Sequence, residues 1–158
     1  MQLIVDGESS TLFKWPKGSW MAQCAHASIA VIQLSLSTSI LTQEYIHPNN
    51  INSMHKVVLQ TASSGKTKMN LVQLSQKLSE VRNKYEEEIA NRQEKVSERK
   101  GKGEGEGERE KQGEEEEFPQ HWLWIEQPEN IPTCLAIAPN RKPASLRKIL
   151  RSCTLLKD

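Results

Sequence analysis

Cysteine is scarce and odd in number: Cys24, Cys134 and Cys153 are the only three in 158 residues, widely spaced and each set among apolar neighbours. That fits reduced, buried thiols better than a disulfide framework and argues against a cysteine-based metal site. Long apolar runs are missing as well. No stretch approaches the roughly 20 residues needed to span a bilayer, and none has the charged start, apolar middle and small-residue cleavage site of a secretory signal. A soluble, cytoplasmic protein that does not engage a membrane is the expectation. A phosphate-binding loop is excluded too. Ser63-Ser64-Gly65-Lys66-Thr67-Lys68 tempts that reading, but the pattern requires a glycine five residues before Gly65, and Gln60 stands there.

What is present is charge, unevenly placed. The formal net charge is +1, yet residues 84–117 hold 8 Lys/Arg and 13 Glu, which leaves 13 Lys/Arg against 7 Asp/Glu, a net +6, on the rest. A basic foldable part permits a polyanionic partner. The length is that of a single domain, 1–158, interrupted at about 85–117 by a Glu/Lys/Gly-rich insert. The first half of the insert, through Arg99, has the charged pairs to prolong a helix; Gly101 to Gly107 cannot sustain one and is expected to be disordered.

The chain is organised around Trp122 to Pro139. Two short apolar runs, Trp122–Ile125 and Cys134–Ala138, flank a polar turn between Pro128 and Pro132. Each is too short for a helix and bounded by proline, so the segment reads as strand, loop, strand, with both strands buried. Glu126 then sits at a strand end, where ligands of α/β sheets are bound, and is the first residue to suspect of chemistry.

Gln2–Val5, ended by the turn pair Asp6-Gly7, and Lys56–Gln60 read as two further strands. Ser19 is an expected helix N-cap. It precedes a breaker-free run through Ile32, in which Ala22, Ala25 and Ala30 permit close packing on a sheet and Gln23 and His26 share a face. Ser35 to Asn52 reads as a loop, with His47 and His55 as solvated surface residues. Leu71, Leu74, Leu78 and Val81 form a helical seam. Leu146, Ile149, Leu150 and Cys153 line one face of a short terminal helix, with Arg147, Lys148 and Arg151 largely off it. Thr154–Leu156 is either a last edge strand or coil. The order β, α, β, α, β, β, α predicts an α/β fold: a small mixed sheet of about four strands sandwiched by helices.

Three segments together resemble a family. Lys17-Gly18-Ser19-Trp20-Met21-Ala22-Gln23-Cys24-Ala25-His26-Ala27, Lys56-Val57-Val58-Leu59 and Thr133-Cys134-Leu135-Ala136-Ile137-Ala138-Pro139 look like the KGKxAAQxxHA, KVVL and TVLAIGP motifs of the type II peptidyl-tRNA hydrolases. Trp15-Pro16 and the stretch Leu123 to Asn130 are most similar to the peptidyl-tRNA hydrolase domain-containing branch.

The resemblance implies hydrolysis of the ester between a peptide and the terminal ribose of tRNA, without metal or other cofactor. It implies a monomer or homodimer acting on peptidyl-tRNA or tRNA and not on DNA. Carried over, the family's aspartate falls on Glu126, its threonine on Thr133, and its helix glutamine and histidine on Gln23 and His26. Glu126, Thr133 and His26 become the implied catalytic residues, and Lys17, Ser19, Gln23 and Asn130 the implied substrate-binding ones. The sequence departs from the family where its second motif lysine falls on Ser19, in the shortened, proline-containing turn between Glu126 and Thr133, and in the Arg-Asp pair missing after the first strand. The same residues have plain structural readings: a surface carboxylate, a core histidine, and a glutamine tying down a loop. Two functions therefore stand side by side, a hydrolase and a relative without catalysis that binds tRNA or a protein.

Overall fold

A computed structural model describes residues 1–7, 15–62, 68–101 and 117–156. The rejected phosphate-loop stretch at 63–67 and the glycine-rich part of the insert at 102–116 lie outside the described residues.

Short, mostly apolar stretches flanked by turns make strands that can be buried on both faces, and the first, β1 (Gln2–Val5), lies at the middle of the sheet with all four residues buried. It pairs in parallel with β2 (Val57–Thr61) and antiparallel with β4 (Ile131–Ile137). The edges are β3 (His121–Glu126), against β4, and β5 (Cys153–Leu155), against β2. The spatial order is thus β3-β4-β1-β2-β5. A parallel pair requires a crossover, here α1 (Lys17–Ser35), α2 (Ile40–Ile46) and a 3-10 turn over Pro48–Ser53. Gly7 lets β1 end against β2. Its amide donates to Thr61 Oγ1 at 3.0 Å, and a Cβ there would fall 2.6 Å from the Thr61 carbonyl oxygen.

Alternation along β1 and β4 divides the core into two layers. Leu3, Val5, Cys134 and Ala136 face α1, meeting Ala27 and Val31. Ile4, Leu135 and Ile137 face the other way, onto Leu71, Leu74 and Leu78 of α3 (Leu71–Gly101) and Leu146 and Ile149 of α4 (Ala144–Leu150). Full burial of each leucine contributes about 1.5–3 kcal/mol, so α3 is held by its first turns. It opens with a reciprocal cap: Asn70 Oδ1 accepts from the Gln73 amide at 2.9 Å and Gln73 Oε1 from the Asn70 amide at 3.0 Å.

Several expectations are corrected. The sheet has five strands where about four were expected, because the alternative of a last edge strand at Thr154–Leu156 is the one taken, as β5, starting one residue earlier at Cys153, which still packs with Leu146 and Ile149 of α4. β3 is a half-exposed edge, not a buried strand. Ser35–Asn52 holds α2 and the 3-10 turn: Ser39 caps α2 through the Thr42 amide, and the Thr42 hydroxyl pairs with Ser35 Oγ at 2.9 Å, joining α2 to α1. α1 starts at Lys17 with Pro16 at its N-cap, and the Ser19 amide donates to the Pro16 carbonyl. Proline fixes an extended approach and the helix begins immediately after it. Ala22 and Ala25 are exposed; Gln23, Ala27, Ser28, Val31 and Ser35 are the buried face. Cys24 and Cys153 are half-buried, and only Cys134 is fully enclosed.

Candidate active site

The hairpin of β3 and β4 carries one irregularity. Trp124 pairs with Cys134 but Ile125 pairs with Pro132, so Thr133 is an extra residue in β4. Proline has no N–H for the ladder and is tolerated at bulges. A bulge breaks the alternation and re-aims a side chain. The consequence is that Thr133 and Cys134, adjacent in sequence, both reach α1. The Thr133 hydroxyl donates to Gln23 Oε1 at 3.1 Å, with the Trp124 carbonyl at 3.5 Å as a second acceptor. Cys134 Sγ lies 3.9 Å from Cys24 Sγ. Thr133 is 1% exposed and Gln23 4%, so this is a buried polar contact.

Trp124 and Glu126 are two residues apart on β3 and therefore on the same face, the one covered by α1. The Trp124 indole Nε1 donates to Glu126 Oε2 at 3.0 Å, and the Trp124 ring stacks on His26 with centroids 4.8 Å apart and planes at 20°. The indole hydrogen bond and then one from Gln23 hold the Glu126 carboxyl below the usual carboxylate range against the opposing effect of desolvation, and the charge of His26 lowers it further, by the smallest amount. The result is a relay, Thr133 to Gln23 to Glu126, with Trp124 bracing the carboxylate from the strand side.

Gln23, His26, Glu126 and Thr133 are brought together from positions about a hundred residues apart. Lys17 and Ser19 occupy the first turn of α1; Ser19 shares the face of Gln23 and His26, four and seven residues on. A tilted stack of Trp15 and Trp20, centroids 5.4 Å apart, braces the chain entering that turn. Asn130 is at the hairpin tip in a left-handed conformation, φ 57°, one residue before Ile131, the partner of Glu126. Trp124 was missed as a site residue in the sequence reading. Its only signal was the two-residue spacing to Glu126.

Glu126 and Thr133 mark one end of the sheet. A cleft of about 320 Å³ lined by Met1, Tyr45, His55, Asn140 and Arg141 lies at the other end, and it holds none of these residues. Among the described residues no group of three or more His, Cys, Asp or Glu is placed to hold a metal ion, and no helix is long and apolar enough to cross a membrane.

The family model for peptidyl-tRNA hydrolase PTH2 matches residues 1–95, more than half of the chain. The chain belongs to this family. The matched span runs from β1 through α1 and β2 into α3, and so includes Lys17, Ser19, Gln23 and His26 of the site; Glu126 and Thr133 lie beyond it. No curated protein matches the chain at a significant level. Membership carries peptidyl-tRNA hydrolysis as the activity of the family, with tRNA and translation as its setting.

Proposed function

We propose that this chain hydrolyses the ester between a peptide and the terminal ribose of tRNA, with Glu126 as the group that orients and deprotonates the attacking water. The observation that carries this reading is the fixed carboxylate: Trp124 Nε1 donates to Oε2 at 3.0 Å and Gln23 supplies a second hydrogen bond, while the group stays at the solvent edge of the sheet, where water reaches it. The water oxygen attacks the ester carbonyl while Glu126 takes its proton. The tetrahedral intermediate then collapses with loss of the ribose oxygen, which receives that proton back from the Glu126 carboxyl. A carboxylate whose pKa is lowered stays ionised but is a weak base, and slow turnover is the expected character of the reaction.

Gln23 and Thr133 are buried and spend their polar atoms on each other and on Glu126, so both act as positioning residues. His26 is exposed and braced by stacking on Trp124, which suits it to contact the terminal ribose or adenosine. Lys17, Ser19 and Asn130 rim the same end of the sheet and are assigned to the substrate's phosphates and peptide end. Ser19 supplies a hydroxyl where the family places a cation, a second reason to expect slow turnover.

The test is release of free tRNA from labelled peptidyl-tRNA. Glu126→Gln is expected to lower the rate by roughly 10²–10⁴, the usual contribution of a general base, while tRNA affinity is retained. Unchanged hydrolysis in Glu126→Gln removes Glu126 from this role. Binding of tRNA with no hydrolysis by the native chain turns the reading to a member of the family that binds without catalysing.

A further inference from the structure

We propose that Cys24 and Cys134 are an oxidative modification site, a dithiol that closes to a reversible disulfide and in doing so displaces the Gln23–Thr133 contact that positions Glu126. The bond itself is independent of the hydrolase reading; only its effect on rate rests on it. The two sulfurs come from α1 and β4 and lie 3.9 Å apart, so closing to the covalent length of about 2.05 Å moves them about 2 Å toward each other. Each cysteine is the chain neighbour of one partner in the buried 3.1 Å bond, Cys24 of Gln23 and Cys134 of Thr133. Packed interiors transmit such shifts and do not absorb them. A displacement of about 1 Å at a reacting group costs on the order of a hundredfold in rate.

The two thiols are unequal in the way the chemistry requires. Cys24 is half-buried and reachable, whereas Cys134 is fully enclosed. The Cys134 S–H donates to Cys24 Sγ, which holds the Cys24 thiol below its ordinary pKa against the opposing effect of burial; the same contact and burial push Cys134 up. Cys24 is therefore the attacking thiolate. With hydrogen peroxide, Cys24 sulfur forms a bond to one oxygen, the O–O bond breaks, and the other oxygen leaves as water, giving the sulfenic acid. Cys134 sulfur then displaces that hydroxyl: the S–S bond forms, the S–O bond breaks, and the hydroxide leaves with the Cys134 proton as water. Two thiols have lost two electrons and two protons, and one peroxide has become two waters. Cys153 belongs to the opposite layer of the core, with Leu146 and Ile149, and the sheet separates it from this pair.

The experiment treats the full chain with hydrogen peroxide, alkylates residual thiols, and digests without reduction for mass spectrometry. The expected product is a linked Cys24–Cys134 peptide pair with Cys153 alkylated, reversed by dithiothreitol and absent in Cys24→Ser. Disulfides through Cys153, or Cys24 carried on to sulfinic acid with Cys134 still alkylated, overturn the proposal. The coupling is read without activity from the side-chain amide resonances of Gln23, which shift on oxidation of the native chain and stay in place in Cys24→Ser. An unmoved Gln23 amide in the disulfide form overturns the coupling. In the hydrolysis assay, oxidation lowers the rate at least tenfold and dithiothreitol restores it, while Cys24→Ser keeps its basal rate under peroxide. A chain that forms the bond and shifts Gln23 but never releases tRNA refutes the hydrolase reading alone.

Discussion

Replacing Thr133 with valine tests the buried contact behind Glu126. Valine keeps the branched shape that fills the bulge and removes the hydroxyl, so the loss is confined to one hydrogen bond and the acceptor it leaves behind. Thr133 and Gln23 are 1% and 4% exposed, which denies Gln23 Oε1 a water in exchange. An unsatisfied buried polar group of this kind costs about 1–3 kcal/mol, and about 2 kcal/mol is expected here. The reverse change, Gln23→Met, leaves the Thr133 hydroxyl with the Trp124 carbonyl, already 3.5 Å away, and also removes the Gln23 hydrogen bond to Glu126, a group that water can reach, so about 1–2 kcal/mol is expected. The double variant strands neither group. Its cost should fall below the sum of the singles by about 1 kcal/mol or more, within the usual range for residues in contact. Urea denaturation at neutral pH supplies all three values, and peptidyl-tRNA hydrolysis on the same samples shows whether Glu126 is mispositioned in step with them. Additive costs refute the relay.

His121 is held neutral by burial, with Arg82 adding to the effect and Ser75 opposing it, and its pKa is lowered from 6.5 to about 4. The unfolded chain binds this proton across that window and the folded chain does not, so stability is lost as pH falls from about 6.5 toward 4, by about 3 kcal/mol at 1.36 kcal/mol per pKa unit. A parallel loss in His121→Gln would refute this. Ser19→Lys returns a cation to the helix face of Gln23 and His26 and should raise the hydrolysis rate; an unchanged or lower rate shows that this face does not meet the developing charge. Leu146 and Ile149 of α4 are buried and Arg147, Lys148 and Arg151 are exposed. Charge reversal at these three should weaken all tRNAs alike and flatten the salt dependence of affinity, and filter binding across a salt series would expose a surface that makes no such contact.

Features set by local pattern were legible in the sequence. The seam of Leu71, Leu74 and Leu78 is a repeat along one helix, and burial followed it. Gln23 and His26 share a face because they are three residues apart. α2 was hidden because Pro48 and the surrounding asparagines outweighed Ser39, whose capping role depends on where its own side chain turns. The bulge at Thr133 was illegible for a different reason. Pro132 marked an interruption, but register belongs to a pair of strands, and one strand cannot say which residue is left over. The meeting of Cys24 with Cys134 and the burial of His121 against α3 likewise arise from contacts across many residues, with no local pattern to announce them.

In the proposed reaction, the position of β3 at the edge of the sheet, which the sequence reading took as buried, is what makes Glu126 usable. A carboxylate deep in the sheet would be driven to its neutral form by desolvation, and water, the second substrate of any hydrolysis, would have no path to it. At the edge Glu126 keeps its charge and its access to solvent, but an exposed side chain is free to move. Trp124 from the same strand and Gln23 from the covering helix supply the missing order. Gln23 is in turn fixed by Thr133 only because the bulge turns that residue toward α1. An irregularity of one residue thus lets a solvent-facing acid be held by groups that are themselves buried.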